Sequence, residues 1–411
     1  MSDSLRRPMR KRQRGIWIPL LFLPALCLCQ VHTGADVLVE KRLDLLAGKR
    51  IGLITNLTGR LSNGVPLVDT LRALGIPVTA LFGPEHGIRG TGEAGETVSD
   101  SLEAKTGIPV HSLYGATRKP TAAMLRDIDV LVYDIQDVGA RFYSYISTMV
   151  LCMEAAAEAG LPFIVLDRPD PLGGLLVDGP LMEDSLESFV GMLPIPAVYG
   201  LTSGELARMV NGEGWMAGGR RVDLIVVGME GWRRWMSWRD TGLPWIPPSP
   251  NIPSPEAALA YPATCFVEAT NISEGRGTDH PFELVGAPFL DPDSLAGALT
   301  ALEAPGVRWT RASFTPQASK FRNEVCRGVR LEVTAAGHYR PLETGIRLLR
   351  AMREQCPSRF QLRTSSLARL AGSTSVGKAV EGCVSIKSVV DAWASGIARF
   401  KQRSRCYRLY H

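Results

Sequence analysis

The sequence lacks the motifs that mark several common enzyme classes. It has six histidines in 411 residues and no H-x-H or H-E-x-x-H motif, which disfavours a metal-dependent hydrolase. No Walker A motif is present, and no G-x-G-x-x-G follows the first predicted strand, so a nucleotide cofactor is not indicated. None of the eight cysteines forms a C-x-x-C pair, so the usual metal and redox motifs are missing. We therefore expect neither a cofactor nor a metal ion.

The chain has no net charge outside its first 35 residues. Those residues contain six basic side chains and one acidic side chain, a net charge of +5, which equals the net charge of the whole chain. The remainder is therefore formally neutral, and nucleic acid is not expected as a partner. A local excess of basic residues at the C-terminus, from Arg399 to Arg408, predicts a solvated and frayed tail.

The N-terminus has the pattern of a secretory signal peptide. Basic residues are followed by an apolar run at 16–29 and by the small residues Thr33-Gly34-Ala35. The apolar run is shorter than the roughly 20 residues that a membrane span requires. We therefore expect residues 1–35 to be a signal peptide, with no stable membrane span after its cleavage. The mature protein is expected to be periplasmic or secreted.

Apolar runs that alternate with helical patterns predict an α/β fold. Continuous apolar strands are predicted at 49–54, 77–82, 130–134, 162–166 and 222–227, with helices at about 67–74, 147–159 and 203–211. Strands that are apolar along their whole length are typical of a parallel sheet covered on both faces. Residues 36–250 are therefore predicted to form a Rossmann-like, doubly wound N-terminal domain.

Seven prolines between residues 244 and 262 interrupt this pattern and predict a domain junction. Residues 251–411 are predicted to form a smaller α/β C-terminal domain. Its strands are expected at 264–268 and 329–333, and its helices at 293–302, 344–353 and 386–400. We expect a cleft between the two domains.

Polar side chains follow the predicted strands of the first domain, where open α/β sheets bind their ligands. They lie in the segments Thr55 to Thr58, Glu85-His86, Asp134 to Tyr143, and Asp167-Arg168. A further polar segment, Glu268 to Asp279, comes from the second domain and could close the cleft from the other side. This content suits a polyhydroxylated or carboxylate-bearing ligand better than an apolar one.

Six runs of residues resemble the exo-β-N-acetylmuramidase family. They are Thr55-Asn56 with Thr58-Gly59, Gly83-Pro84-Glu85-His86-Gly87, Tyr133 to Tyr143, Asp167-Arg168-Pro169, Pro247 to Asn251, and Asn271 to Thr278. The resemblance implies a secreted or periplasmic glycoside hydrolase that releases N-acetylmuramic acid from the non-reducing ends of peptidoglycan fragments. Such fragments are muropeptides or saccharides of N-acetylmuramic acid and N-acetylglucosamine. The resemblance also implies that Glu85 is catalytic.

Glycoside hydrolysis usually requires one carboxyl group that protonates the leaving oxygen and a second that acts as base or nucleophile. We expect Glu85 to be the general acid, with His86 orienting it or binding substrate. The possible second carboxylates are Asp134, Asp137, Glu268, Glu274 and Asp279. Glu274 and Asp134 are favoured jointly, and retaining, inverting and substrate-assisted mechanisms all stay open.

Arginine binds carboxylates through two parallel hydrogen bonds. Arg141 and Arg276 are therefore candidates for binding the lactyl carboxylate of muramic acid, although each could instead form a structural ion pair. The candidate contacts for sugar hydroxyl or acetamido groups are Asn56, Gln136, Tyr143 and Asn271. Tyr143 could equally be a core aromatic residue.

Two other functional classes fit part of the pattern. A non-catalytic periplasmic protein that binds wall fragments or sugars also has two α/β lobes around a cleft. Such a protein would keep its ligand affinity after Glu85→Gln, whereas an enzyme would lose turnover. A metal-dependent hydrolase would use His86, Asp134, Asp137 and Asp279, and activity that survives a chelator would exclude it.

Overall fold

A seven-stranded sheet forms the centre of the N-terminal domain in the computed structural model, which describes residues 30–88, 101–103 and 106–411. The strands of this domain are β1 (Ile51–Thr55), β2 (Val78–Gly83), β3 (Ser101–Leu102), β4 (Pro109–Ser112), β5 (Val130–Asp134), β6 (Phe163–Leu166), β7 (Asp178–Leu181), β8 (Pro196–Val198) and β9 (Leu224–Val227). The sheet order is β3-β4-β2-β1-β5-β6-β9, and every neighbouring pair is parallel except β3–β4. β7 and β8 form a separate antiparallel pair.

Helices cover the faces of this sheet, as the apolar strands predict. They are α1 (Gly34–Lys41), α2 (Leu67–Ala73), α3 (Tyr145–Ala159) and α4 (Ser203–Glu213). Every residue of β1, β5 and β6 is buried, because these central strands have neighbours on both sides and helices above and below. The predicted parallel α/β domain is therefore confirmed.

The chain enters this fold before the signal boundary predicted at residue 35. Val31 is fully buried, and its amide donates a hydrogen bond of 2.9 Å to the carbonyl of Thr241. Thr33 caps α1 through a reciprocal pair of hydrogen bonds with Asp36. The predicted boundary thus falls inside a folded segment, and any cleavage compatible with this fold would have to precede Val31. Residues 1–29, most of the predicted signal, lie outside the described residues.

The C-terminal domain packs helices against a small antiparallel sheet of order β10-β12-β11. Its strands are β10 (Leu284–Ala287), β11 (Val307–Phe314) and β12 (Cys326–Val333), and its helices are α5 (Pro255–Thr264), α6 (Pro292–Ala301), α7 (Pro341–Gln355), α8 (Thr364–Ala371), α9 (Ser375–Glu381) and α10 (Ile386–Ser404). Among the described residues, no helix is long and apolar enough to cross a membrane.

The strand predicted at 264–268 is wrong. α5 runs to Thr264, and a 3₁₀ helix continues from Cys265 to Ala269. Ser254 accepts a hydrogen bond from the amide of Ala257, and Pro255 occupies the first turn, so both favour the start of a helix. A short apolar run that is buried on all sides shows no alternation of apolar and polar residues. Hydrophobic periodicity therefore cannot distinguish a helix from a strand in such a run.

The prediction of a frayed C-terminal tail is also wrong. The Tyr410 hydroxyl donates to Oδ2 of Asp167 at 2.7 Å and accepts from the amide of Met229 at 2.8 Å. Arg403 forms an ion pair with Glu213 in α4. The tail is therefore ordered against the N-terminal domain, because its aromatic and basic side chains find partners there.

Candidate active site

A small pocket of about 130 Å³ lies between the two domains, beyond the carboxyl ends of β2 and β5. The N-terminal domain contributes Glu85, His86, Phe142, Tyr143, Ser144, Val190, Ser249 and Asn251 to its lining. The other wall contains Tyr261, Cys265, Glu268, Arg276, Phe282 and Leu370. The predicted cleft is thus present, and side chains from both domains line it.

A tight turn after β2 presents Glu85 to this pocket. The amide of Gly87 donates to the carbonyl of Pro84 at 2.9 Å, which closes the turn. His86 and Gly87 both have left-handed backbone conformations, with φ of 70° and 69°. For a residue with a side chain this costs roughly 1–2 kcal/mol, so His86 is held in a strained conformation. Such strain is found preferentially where a turn positions functional groups.

Two hydroxyl groups of the N-terminal domain surround the Glu85 carboxylate. Ser144 Oγ, at the start of α3, donates to Glu85 Oε2 at 2.6 Å. Burial, followed by the charge of Glu85, raises the pKa of Tyr114 to about 12. The Tyr114 hydroxyl therefore stays protonated and can donate to the same carboxylate. Sequence reasoning missed both residues; Ser144 directly follows the motif that ends at Tyr143, whereas no local signal marks Tyr114.

Two acidic and two basic side chains form a charge network in the opposite wall. Arg276 Nη2 lies 2.5 Å from Oε1 of Glu268, and its Nε lies 3.2 Å from Oε1 of Glu274. Lys320 Nζ donates to Oε2 of Glu274 at 2.9 Å. The Glu268 side chain is 31% exposed, whereas that of Glu274 is only 3% exposed. Burial raises the pKa of Glu268, while the positive charge of Arg276 opposes that shift.

Aromatic rings line the pocket between these two walls. Tyr143 packs edge-on against Tyr261 at 5.7 Å, and Tyr261 packs against Phe282 at 4.7 Å. Arg276 lies over the Phe282 ring at 5.0 Å from its centre. The buried Tyr143 hydroxyl lies beside Ser249, and no group of the described chain completes a hydrogen bond to it. A ligand hydroxyl or amide in the pocket could supply that bond.

The structure does not bring the strand-end candidates Asp134, Gln136 and Asn56 into this pocket. Asp134 is fully buried and bonded to Nε of Arg168 at 2.7 Å. Gln136 Nε2 donates to the carbonyls of Asp137 and Pro169, and Asn56 Oδ1 accepts from the amide of Thr58. These three side chains therefore brace the loops that follow β1, β5 and β6.

Arg141 and Asn271 also make structural contacts rather than lining the pocket. The Arg141 guanidinium is fully buried and donates to backbone carbonyls only, those of Pro180, Ile195, Leu370 and Ala371. Burial lowers its pKa to about 9, so it stays charged at neutral pH. The side-chain amide of Asn271 donates to the carbonyl of Arg359 and accepts from the amide of Gln361. Of the candidates named from the sequence, Glu85, His86, Tyr143, Glu268 and Arg276 share the pocket, and Glu274 lies behind Arg276.

The residues of the metal-hydrolase alternative are not assembled into one site. Asp137 accepts hydrogen bonds from the Tyr199 hydroxyl and the Gly139 amide, Asp134 pairs with Arg168, and Asp279 is exposed. In the part of the chain that the structure describes, no group of three or more His, Cys, Asp or Glu side chains could hold a metal ion.

Comparisons with known proteins identify the family. The model described as "Exo-beta-N-acetylmuramidase NamZ, N-terminal" matches residues 51–256, and its C-terminal counterpart matches residues 259–410. The first model ends at residue 256, and the second begins at residue 259. The chain is 45% identical over 383 residues to the peptidoglycan beta-N-acetylmuramidase NamZ of Bacillus subtilis (strain 168), covering 93% of this chain and 92% of that protein.

Solved structures of similar proteins have the same fold. Two proteins of the DUF1343 family from Bacteroides fragilis NCTC 9343 are 39% and 34% identical to this chain, with TM-scores of 0.87 and 0.77. Each alignment covers 93% of this chain and 99% of the other. The resemblance carried by the sequence motifs is confirmed, and the chain belongs to the exo-β-N-acetylmuramidase NamZ family.

Proposed function

We propose that this chain releases N-acetylmuramic acid from the non-reducing ends of peptidoglycan fragments, with Glu85 as the proton donor and Glu268 as the second carboxylate. Its class, a glycoside hydrolase, follows from the family and from the 45% identity to a peptidoglycan beta-N-acetylmuramidase. The observation that supports the residue roles is that Glu85 and Glu268 line opposite walls of one interdomain pocket.

In the proposed reaction Glu85 gives its proton to the glycosidic oxygen as the bond from that oxygen to the anomeric carbon breaks. The leaving sugar departs with that proton. Positive charge develops on the ring of the sugar that stays behind, and the Glu268 carboxylate stabilises it. Water then supplies the new hydroxyl group on the anomeric carbon and the proton that restores the acid.

Glu268 suits the second role better than the two carboxylates favoured by the sequence. Glu274 is almost inaccessible and is held by both Arg276 and Lys320. Asp134 is fully buried in its ion pair with Arg168. Glu268 is partly exposed to the pocket, where a substrate can reach it.

Arg276 is the proposed contact for the lactyl carboxylate, because it is the arginine of the pocket lining. Arg141, the other sequence candidate, is committed to four backbone carbonyls. Arg276 already neutralises part of the charge of Glu268 and Glu274. A bound lactyl group would therefore share the guanidinium with these two side chains.

We also propose that the protein is exported, on the strength of its basic and apolar N-terminus. N-terminal sequencing of the protein recovered from the cell envelope or medium tests this. The mature chain is expected to begin before Val31, because that residue is buried in the fold. Recovery of the full-length chain from the cytoplasm would contradict export.

The decisive assay compares chromogenic β-glycosides of N-acetylmuramic acid and N-acetylglucosamine. The parent protein is expected to cleave the first in strong preference to the second. Glu85→Gln should lower turnover by roughly 10²–10⁴-fold, the usual contribution of a general acid, without loss of folding. Glu256→Gln, at an exposed carboxylate paired with Arg239, is the matched control and should keep full activity.

Other outcomes separate the alternatives. Equal turnover of both glycosides would contradict specificity for muramic acid. Binding of muropeptides without turnover, unchanged by Glu85→Gln, would indicate a binding protein. Loss of activity on addition of a chelator would support the metal-dependent alternative.

A further inference from the structure

An aromatic and basic cluster lies on the rim of the pocket next to Glu85, and the proposed reaction does not use it. It consists of Tyr114, Arg118 and Phe189. The guanidinium of Arg118 lies over the ring of Phe189, 4.5 Å from its centre, and that ring lies 6.2 Å from the ring of Tyr114. Tyr114 in turn lies close enough to Glu85 for the carboxylate charge to raise the pKa of its hydroxyl. The cluster therefore extends outwards from the proposed proton donor.

The cluster is continuous with the pocket wall. Val190, the neighbour of Phe189 in sequence, lines the pocket itself. The loop that carries these two residues is closed by the antiparallel bridge between Ser188 and Gly191. Phe189 is thus presented at the mouth by a defined turn, and its ring is only half-buried.

Arg118 is an exposed cation without an ion-pair partner among the described residues. Other exposed arginines, such as Arg126 and Arg233, also have no ion pair among the described residues, and Arg118 differs from these two because it lies over an aromatic ring beside the pocket. Stacking on Phe189 orients the planar guanidinium and leaves its edge free to bind a carboxylate through two hydrogen bonds. A ligand carboxylate is therefore the partner that the chemistry of this position favours.

The position of Glu85 determines which part of a substrate meets this cluster. A general acid lies beside the leaving oxygen, so the sugar on the leaving side must extend past Glu85. In a peptidoglycan strand cut after its terminal N-acetylmuramic acid, the leaving part starts with N-acetylglucosamine. The next sugar is again N-acetylmuramic acid, whose lactyl group carries a carboxylate or an acidic stem peptide.

We propose that Tyr114, Phe189 and Arg118 form a binding subsite for the leaving part of the substrate. The rings contact the face of the neutral N-acetylglucosamine, and Arg118 binds the carboxylate carried by the following muramic acid. The subsite makes the enzyme prefer glycan fragments that extend beyond the first disaccharide. This inference rests on the proposed function, since it takes Glu85 as the donor to the leaving group.

The test compares three substrates. One is the chromogenic muramic acid glycoside, and one is the disaccharide N-acetylmuramyl-N-acetylglucosamine, which has no carboxylate beyond the cut. The third is the tetrasaccharide made of two such disaccharides, which has one. The ratio of kcat/KM for the tetrasaccharide to that for the disaccharide measures the subsite. Arg118→Ala should lower this ratio roughly threefold to tenfold, which is the effect expected from the loss of a charge pair that is exposed to half-buried. Turnover of the chromogenic glycoside should stay unchanged.

Three controls sharpen the result. Arg118→Lys should give a ratio between those of Arg118→Ala and the parent, because lysine keeps the positive charge but lacks the planar guanidinium that forms two parallel hydrogen bonds. In the parent protein the ratio should fall as salt is added, whereas in Arg118→Ala it should be insensitive to salt. Arg239→Ala, at an arginine whose side chain is 82% exposed and paired with Glu256, should behave like the parent.

The failure of the subsite and the failure of the proposed function give different results. If the parent cleaves the substrates but Arg118→Ala changes none of them, or all of them equally, the subsite is refuted and the enzymatic function stands. If the parent cleaves none of the three, both are refuted.

Discussion

Replacement of Arg141 by Met should destabilise the protein without weakening substrate binding. The guanidinium donates to the carbonyls of Pro180 and Ile195 in the N-terminal domain, at 3.0 and 2.6 Å. It also donates to Leu370 and Ala371 at the end of α8, at 3.4 and 2.7 Å. Arg141 therefore joins the two domains from inside the protein. Methionine has a similar length but no donor, so these buried carbonyls would lose their partners.

The size of the effect follows from those four bonds. Each buried carbonyl left without its partner costs about 1–3 kcal/mol. The variant no longer has to bury a charged guanidinium, and this saving in desolvation free energy offsets part of the total cost. We expect a net loss of about 3 kcal/mol in the free energy of unfolding. At an unfolding entropy of about 2.1 cal/mol/K per residue, that corresponds to a fall in Tm of about 3–4 °C for a chain of this length.

A second substitution tests the same contact from the other side. Gly372 has a φ of 73°, and a Cβ at this position would overlap the guanidinium of Arg141. Gly372→Ala should therefore also lower Tm. Because both changes disrupt one contact, the double variant should lose less stability than the sum of the two single variants.

The assay combines thermal unfolding, followed by circular dichroism, with kcat and KM on the chromogenic muramic acid glycoside below the lowest Tm. KM is expected to stay within about twofold of the parent. A variant that unfolds at the parent temperature but binds substrate more than tenfold more weakly would refute the structural role. That result would return Arg141 to the substrate.

Two further predictions concern buried polar groups. Burial raises the pKa of Asp137 to about 6. The folded state therefore binds a proton at this carboxyl more tightly than the unfolded state does. Asp137 thus lowers the free energy of unfolding as pH rises from about 4 to about 6. Asp137→Asn should remove that slope from urea-unfolding midpoints measured across this range, and profiles that stay parallel would contradict it. Tyr410→Phe should cost about 1–3 kcal/mol, because Asp167 and the Met229 amide lose a buried partner, whereas Tyr407→Phe, at a half-buried hydroxyl on the surface, should cost less. Equal denaturant midpoints for the two tyrosine variants would argue against an ordered tail.

The sequence by itself determined the fold class and predicted where the site lies. A strand that is buried on both faces, such as Val130–Asp134, has apolar residues at nearly every position. This pattern lies within a few consecutive residues, so it can be read from the sequence alone. The turn after β2 was likewise visible in the sequence, because glycine and proline favour turns through local backbone preferences. The structure has this turn at Gly83-Pro84-Glu85-His86-Gly87, with left-handed conformations at His86 and Gly87. The family motifs then indicated the activity. Glu85 was therefore accessible to sequence reasoning.

Only the tertiary structure decided which other polar residues meet Glu85. Arg141 and Arg276 are the same residue type in similar polar motifs, yet one binds backbone carbonyls between the domains and the other lines the pocket. From the sequence, Glu268, Glu274 and Asp134 were all possible second carboxylates and the last two were favoured, whereas their exposure and ion pairs in the structure distinguish them. The physical reason is that availability to a ligand depends on burial and on partners distant in the chain. Local sequence does not show either, so only the fold links Ser144 and Tyr114 to Glu85.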